Sequence, residues 1–145
     1  MRIWSAHGAV ARSAVDSSIL LDVVVNDPKF AASSEAALRT ALSSGVLVIG
    51  DCVLAEIRPA FRAGDIEQFL HDWAIEFVPS SRQCALLAGE MFERYLSRRT
   101  RPKAVARVVP DFLIGAHARE HADRLLTRDR GFYRDYFKHL VLIEP

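Results

Sequence analysis

The sequence predicts an α/β fold in which a central parallel sheet is flanked by helices on both faces. Residues 46–49 are a short, wholly apolar run, which is typical of a strand buried on both faces. Ile66, Phe69, Leu70 and Trp73 recur at the spacing of one helix face. Segments of these two kinds alternate along the chain, and this alternation indicates parallel strands joined by crossover helices.

Each apolar run is assigned to a strand and each helical pattern to a helix. The strands are predicted at residues 14–16, 46–49, 75–78, 123–127 and 141–143. The helices are predicted over residues 18–25, over 33–42, from 51 to 64 with a kink or restart at Pro59, from 65 to 73, from 80 to 98, and from 110 to 121. Residues 100–109 are interpreted as a basic loop, and residues 128–131 as a turn.

The helix boundaries are predicted from capping and turn residues. The predicted helix starts are Asp51 as a cap, Asp65 with Gln68 as a capping box, and Ser80 with Gln83 as another. The predicted helix ends are Asn26-Asp27-Pro28, Gly45 in the place that a helix-ending glycine prefers, and Gly64.

Length and composition indicate one ordinary globular domain. The 145 residues are half apolar and about a quarter charged, and one domain is expected over residues 1–145, with residues 1–12 as an extension or a fraying first strand. The apolar runs are far shorter than the roughly 20 residues of a membrane-spanning helix, and the first residues lack the apolar core of a signal peptide. Cys52 and Cys84, with no CxxC spacing, are expected to be reduced core residues of a cytoplasmic protein.

The net charge of +1 conceals an asymmetry along the chain. Residues 1–75 hold six basic and nine acidic side chains, whereas residues 76–145 hold thirteen basic and nine acidic ones. Residues 94–107 alone contain six positive charges and no acid. Such a segment suits contacts with phosphates, although a solvated loop or helix end is an equal alternative.

Four acids have a setting that would bring them to one edge of the sheet. Asp16 and Asp129 directly follow apolar strands, Asp111 begins the helix that leads into the Asp129 strand, and Glu56 lies about two turns into the helix after the second strand. Each acid alone has an ordinary explanation as a helix cap, a surface residue or part of a turn. Together they are expected to meet, because ligands of open α/β sheets bind beyond the carboxyl ends of the strands.

Converging carboxylates favour a divalent cation. Without a cation they repel and raise one another's pKa, and hard oxygen ligands select Mg²⁺ or Mn²⁺. Such an ion can activate a water and orient a phosphate. An acidic pocket beside a basic segment therefore predicts a phosphodiester as the substrate.

Four ordered segments resemble the acidic motifs of PIN-domain nucleases, most closely those of the VapC toxins. The segments are Val15-Asp-Ser-Ser18, Val53-Leu-Ala-Glu56-Ile57, Pro110-Asp111-Phe-Leu-Ile-Gly-Ala-His117-Ala118 and Leu126-Thr-Arg-Asp129-Arg-Gly-Phe132. Their order and spacing agree across nearly the whole chain from about residue 13. The sequence departs from the VapC pattern in one respect, since about a dozen residues precede the first predicted strand.

The resemblance implies a Mg²⁺-dependent endoribonuclease that a VapB-type antitoxin inhibits. It implies that Asp16, Glu56, Asp111 and Asp129 are the metal-site acids, with Mn²⁺ as an alternative to Mg²⁺. Ser17 and Thr127 match positions at which the family often has a hydroxyl. Family members usually form homodimers, and their antitoxins insert a positively charged side chain into the acidic pocket.

Five arginines are expected to bind the RNA substrate. They are Arg98, Arg99, Arg101, Arg128 and Arg130. The expected reaction is in-line attack of water on phosphorus with departure of the ribose 3′ oxygen. It would leave a 5′-phosphate and a 3′-hydroxyl, without the ribose 2′-hydroxyl as the nucleophile.

The main alternative is a non-catalytic PIN-like module that binds RNA or a protein. A phosphoacceptor receiver domain is disfavoured, because no lysine follows an apolar strand. His117 and His121 stand four residues apart, but without the His-Glu-x-x-His order of zinc hydrolases a zinc pair is disfavoured too. Asp22 would leave the acidic pocket along the first helix and is interpreted as structural.

Overall fold

A computed structural model of the chain describes residues 10–98 and 109–145, and a parallel sheet lies at its centre. The described strands are β1 (Ala11–Val15), β2 (Gly45–Ile49), β3 (Ile75–Phe77), β4 (Arg124–Leu126) and β5 (Val141–Ile143). They form one five-stranded sheet in the order β3-β2-β1-β4-β5, with every neighbouring pair parallel. The predicted fold class is therefore confirmed.

Helices connect the strands and cover the sheet. In the described residues they are α1 (Ser17–Val24), α2 (Ala31–Ser44), α3 (Asp51–Ile57), a 3₁₀ turn (Arg58–Ala60), α4 (Asp65–Asp72), α5 (Arg82–Arg98), α6 (Val109–His121) and α7 (Arg130–Tyr136). Helix α2 packs on β1 and β2, while α6 packs on β1, β4 and α5. Within these described residues, no helix is long and apolar enough to cross a membrane.

The central position of β1 sets up the functional edge. Ala14 and Val15 are buried, because strands run along both sides of β1 and helices cover it. In the β1–β4 pair, Val15 lies opposite Leu126. The Asp16 N–H extends this pairing and donates to the Leu126 carbonyl at 2.9 Å. The residues that follow the two strands, Asp16 and Thr127, therefore emerge side by side.

Gly45 is the C-cap of α2, as its position predicts, but it does not adopt the usual conformation of a helix-ending glycine. Its φ of 169° is extended backbone, not the left-handed conformation of a helix-ending glycine, and it is the first residue of β2. It pairs with Ala11, and a Cβ at Gly45 would lie 1.8 Å from the Ala11 carbonyl oxygen. The glycine is needed because the two strand backbones approach each other closely at this point.

Three predicted helix starts are wrong by one residue. Gly50 and not Asp51 is the N-cap of α3, and the Asp51 carboxylate instead accepts the N–H of Ser80 at 3.1 Å. Gly64, in the left-handed conformation with φ 88°, is the N-cap of α4, so the predicted capping box at Asp65 is absent. At α5 the capping hydroxyl belongs to Ser81, which accepts the Cys84 N–H at 3.0 Å.

Strand β1 is longer than predicted, and one helix of the structure was not predicted. Strand β1 begins at Ala11, so Arg12 is part of the sheet; its side chain is held by the His121 carbonyl oxygen and by Glu76. Residues 128–131, predicted as a turn, include the first two residues of α7, a helix that the sequence did not predict. Residues 100–108 of the predicted basic loop lie outside the described residues. Its last residue, Val109, is the first residue of α6.

Candidate active site

Asp16 is the most buried acid at the carboxyl edge of the sheet. Its side chain is only 8% exposed, and the Thr127 hydroxyl donates to its Oδ2 at 2.7 Å. The fully buried Thr127 hydroxyl also accepts the backbone N–H of Asp129 at 3.0 Å. One threonine thus connects two of the predicted metal-site acids and orients the Asp16 carboxylate.

Glu56 is connected to the same edge by a second hydroxyl. The Ser17 Oγ donates to Glu56 Oε1 at 2.9 Å, between helices α1 and α3, which pack on each other. The carboxylate is exposed, so it faces solvent while it is anchored at one oxygen. Each of the predicted hydroxyl residues, Ser17 and Thr127, therefore contacts one of the predicted acids.

The pKa of Asp16 is raised by burial and by two of the other predicted acids. Burial raises this pKa above its ordinary value, and the carboxylates of Glu56 and Asp111 raise it further. Hydrogen bonds from Thr127 and from the Ser17 backbone act in the opposite direction. The structure thus gathers negative charge around a carboxylate that has little solvent to stabilise it.

Tyr133 is a residue of this site that the sequence reasoning missed. It is 2% exposed, and burial raises the pKa of its phenol well above the ordinary value. The negative charges of Asp16, Asp111, Asp129 and Glu56 all contribute to that rise, so all four acids interact electrostatically with this phenol. Its place four residues after Asp129 puts the two side chains on the same helical face, but this signal depends on α7, which the sequence did not predict.

Asp111 and Asp129 both occupy helix starts that face this edge. Asp111 lies in the first turn of α6 and is half-buried, and Asp129 occupies the N-cap position of α7. Carboxylates are favourable at both positions because of the free N–H groups there. The electrostatic interactions of all four acids with Tyr133 indicate that they lie in one region, and their role as metal ligands stays a prediction.

The arginines predicted to bind substrate have different surroundings. Arg128 pairs with Asp22 at 2.8 Å and lies over the Phe30 ring, with 4.0 Å from its Cζ to the ring centroid. Arg130 is exposed at the start of α7, and Arg98 lies over the Tyr136 ring at the end of α5. The other two, Arg99 and Arg101, lie outside the described residues.

The contacts of Asp22 agree with its interpretation as a structural residue. It is 5% exposed and accepts hydrogen bonds from Ser34 at 2.7 Å and from Arg128 at 2.8 Å. Because Arg128 follows the strand that delivers Thr127, this buried pair anchors the loop between β4 and α7 to α1. The guanidinium of Arg128 is thus engaged with the protein, and its predicted contact with RNA stays a prediction.

The donor atoms at the rim fit a hard divalent cation. The four predicted acids and the hydroxyls of Ser17 and Thr127 present oxygen, which Mg²⁺ and Mn²⁺ prefer over nitrogen or sulfur. The raised pKa of Asp16 supports the same reading, since a cation at this point would offset the mutual repulsion of the carboxylates.

The protein is an α/β protein with acidic residues beyond the carboxyl ends of the central strands of its parallel sheet. The family model described as "PIN domain" matches residues 14–138, which is most of the chain. The chain therefore belongs to the PIN domain family. A search of the curated proteins found no significant match.

Solved structures with the same fold cover nearly the whole chain. One is described as VapBC2 from Rickettsia felis bound to a DNA fragment from their promoter; it is 21% identical, with 92% of this chain and 98% of that chain covered and a TM-score of 0.66. FitAB bound to an IR36 DNA fragment is 17% identical, with 92% and 94% covered and a TM-score of 0.59. FitAcB from Neisseria gonorrhoeae is 16% identical, with 90% and 96% covered and a TM-score of 0.55.

Proposed function

We propose that this protein is a metal-dependent endoribonuclease that acts as the toxin of a toxin–antitoxin pair. The observation that carries the proposal is that Asp16, Glu56, Asp111 and Asp129 all interact electrostatically with one buried phenol, with hydroxyls oriented onto two of them. Membership of the PIN domain family supports a nuclease as the general activity.

The four acids would hold Mg²⁺, or Mn²⁺ in its place. When bound, the ion supplies Lewis-acid stabilisation of the phosphate and lowers the pKa of a coordinated water. Thr127 and Ser17 fix the orientation of Asp16 and Glu56 through one carboxylate oxygen each. The burial of Asp16 strengthens its electrostatic interaction with a cation, because less water screens it.

A basic groove near the acids provides a path for the RNA backbone. We define the groove by Arg94, Arg98, Arg119 and Lys138, which line a cavity of about 350 Å³ and outnumber its two acids, Glu90 and Asp135. Tyr136 ends α7, and this seven-residue helix spans about 10 Å from the acid rim. One RNA strand leaving the acids along α7 would therefore meet the groove, where its phosphates balance the arginine charges.

A second protein chain is proposed as the partner of this one. The VapBC2 and FitAB neighbours were solved as complexes that their names describe as pairs, bound to DNA. We propose that a VapB-like antitoxin inhibits this chain by placing a cationic side chain among the four acids. We also propose a homodimer that acts in the cytoplasm, with light scattering of the purified chain as the measurement of its mass.

RNA cleavage by the purified chain is the direct test. The chain, freed of any partner, is incubated with total RNA and with Mg²⁺, Mn²⁺ or excess chelator, and cleavage is expected only with an ion. Asp16→Asn should abolish cleavage. Asp65→Asn is the control and should not change cleavage: Asp65 is also an acid at a helix start, but it is exposed on α4 and is not one of the four acids. Equal cleavage by wild type and Asp16→Asn would refute the proposed site.

Binding without cleavage would favour the alternative, a non-catalytic RNA-binding module. To separate the two, RNA affinity and cleavage are measured on the same oligonucleotides. A 2′-deoxy substitution at the cleaved position should leave cleavage intact, and the products should carry a 5′-phosphate. Loss of cleavage on 2′-deoxy substitution would contradict water as the nucleophile.

The groove is tested through salt dependence. Arg98→Gln combined with Lys138→Gln should weaken RNA binding and lower the slope of log K against log salt by about 0.7 for each lost phosphate contact. Arg62→Gln is the matched control, because Arg62 is exposed but lies outside the groove. An unchanged slope in the double variant would mean that RNA does not bind along the groove. It would not contradict the proposed acid site.

A further inference from the structure

A second group of potential metal ligands lies between α5 and α6. Cys84 Sγ, a Glu120 carboxylate oxygen and a His121 ring nitrogen lie within 4.8 Å of one another. Cys84 is in the first turn of α5, and Glu120 and His121 end α6, the helix against which α5 packs. This Cys–Glu–His cluster uses none of the four rim acids.

The spacing of the ligand atoms suits a tetrahedral ion, with one Glu120 oxygen near Cys84 and the other near His121. Cys84 Sγ lies 3.2 Å from Glu120 Oε2, and His121 Nε2 lies 3.3 Å from Glu120 Oε1. With metal–ligand bonds of about 2.0–2.3 Å, the ligand atoms around Zn²⁺ stand about 3.3–3.7 Å apart. Small side-chain movements would therefore bring all three onto one ion.

The ring nitrogen of His121 lacks a role in the metal-free arrangement. Its Nε2 is buried, and no hydrogen-bond partner occurs for it among the described residues, although Glu120 lies close by. A buried ring nitrogen of this kind costs free energy unless a proton donor or a metal satisfies it. The neighbouring His117 is engaged elsewhere, since its Nε2 lies 2.6 Å from the Val78 carbonyl oxygen.

The surroundings of the cluster already orient two of its members. The Ser81 hydroxyl donates to Glu120 Oε1 at 2.7 Å and accepts the Cys84 N–H at 3.0 Å, so it ties the start of α5 to the end of α6. Ligands oriented by outer hydrogen bonds are typical of metal sites. Cys84 is buried and Glu120 is exposed, so a water could complete the coordination from the solvent side.

We propose that Cys84, Glu120 and His121 form a second metal site, selective for Zn²⁺ and similar borderline-soft ions, that clamps α5 to α6. The ion would bind the Cys84 thiolate, and the thiol proton would pass to solvent on binding. Sulfur and nitrogen ligands separate this site from the all-oxygen rim, which suits Mg²⁺. Zn²⁺ would therefore stabilise the protein without occupying the proposed catalytic site.

Co²⁺ spectroscopy of the purified, reduced full-length chain tests the proposal. Co²⁺ at this site should give a thiolate-to-cobalt charge-transfer band at one ion per chain, and Zn²⁺ should displace it. Ions bound only by the rim carboxylates give no such band, because carboxylates supply oxygen ligands and no thiolate. Failure of the wild-type protein to give the band would overturn the proposal.

Cys52 supplies the matched control, because the chain has only two cysteines and Cys52 is half-buried on α3. The band should survive in Cys52→Ser and disappear in Cys84→Ala. Glu120→Gln, at an exposed position, should weaken Zn²⁺ binding about tenfold or more without unfolding the protein. A band that persists in Cys84→Ala, or Zn²⁺ affinity unchanged in Glu120→Gln, would refute the assignment.

Discussion

Thr127→Val removes a single hydroxyl from the centre of the acid rim. In the wild type this hydroxyl donates to Asp16 Oδ2 at 2.7 Å and accepts the Asp129 N–H at 3.0 Å. Valine has the same shape, so the change leaves packing nearly intact. It removes a hydrogen bond to a charged group and leaves one partly buried N–H without its acceptor.

The expected loss of stability is about 2–3 kcal/mol. A hydrogen bond to a charged group contributes about 1.5–3 kcal/mol, and an unsatisfied buried donor costs about 1–3 kcal/mol, offset in part by the buried methyl group that replaces the hydroxyl. For a chain of 145 residues, Tm falls by about 3 °C per kcal/mol, so a decrease of roughly 6–9 °C is expected.

The same substitution should also weaken Mg²⁺ binding. Because the Thr127 hydroxyl lowers the pKa of Asp16, its loss raises that pKa further and frees the carboxylate to rotate. Loss of an outer hydrogen bond of this kind typically costs about 10–100-fold in metal affinity. Isothermal titration calorimetry with Mg²⁺ or Mn²⁺ measures this change, and thermal unfolding in chelator measures the stability.

Thr127→Ser is the matched control because it keeps the hydroxyl and loses only a methyl group. It should cost about 1 kcal/mol and preserve metal affinity. If valine and serine at position 127 gave the same metal affinity, the hydroxyl would not orient Asp16, and the reasoning about the rim would fail.

Four further substitutions test the electrostatics and the packing. Asp16→Asn should raise the free energy of unfolding at pH 7 in chelator. Because the pKa of Asp16 is raised in the folded state, the wild-type protein loses stability as the pH rises through that pKa, and the neutral asparagine avoids this loss. The gain should vanish in denaturation experiments at acidic pH. Arg128→Gln should cost about 2–3 kcal/mol in urea denaturation, since it leaves Asp22 buried without its charged partner. Gly115→Ala should cost about 1–3 kcal/mol, because the new Cβ would lie 2.3 Å from an aromatic ring. Gly89→Ala, on an open helix face, should instead gain about 0.5–1 kcal/mol.

Each of these predictions would be contradicted by a specific result. A destabilised Asp16→Asn protein at pH 7 would mean that the carboxylate is satisfied without a cation. If Arg128→Gln cost no more than Arg130→Gln at the exposed neighbouring position, the Asp22 pair would not anchor the loop. Equal effects of alanine at Gly115 and Gly89 would contradict the close packing of α6.

The acid rim could be predicted from the sequence because its residues follow from strand ends. Asp16 and Asp129 stand next to apolar runs, and parallel strands deliver such residues to one edge whatever the details of the loops. Glu56 and Asp111 followed from the positions of helices after strands. The contacts of Ser17 and Thr127 with these acids agree with the residues that the family resemblance selected.

The missed features depend on contacts between distant segments. Helix α7 was not predicted because Arg128-Asp129-Arg130-Gly131 has the composition of a turn; packing of Phe132 and Tyr133 into the core overrides that tendency. Strand β1 was predicted three residues too short because Arg12 is charged, and its partners His121 and Glu76 lie far away in sequence. The role of Tyr133 could not be seen before α7 was known.

The order of the strands also governs when the acid rim can exist during synthesis. Thr127 and Asp16 are separated by 111 positions, and β4 is laid against β1 only after most of the polypeptide has been made. A ribosome-bound chain still missing its last twenty residues has neither Thr127 nor Asp129. Such a nascent chain therefore lacks part of the proposed site, which can form only after nearly the whole chain has been synthesised.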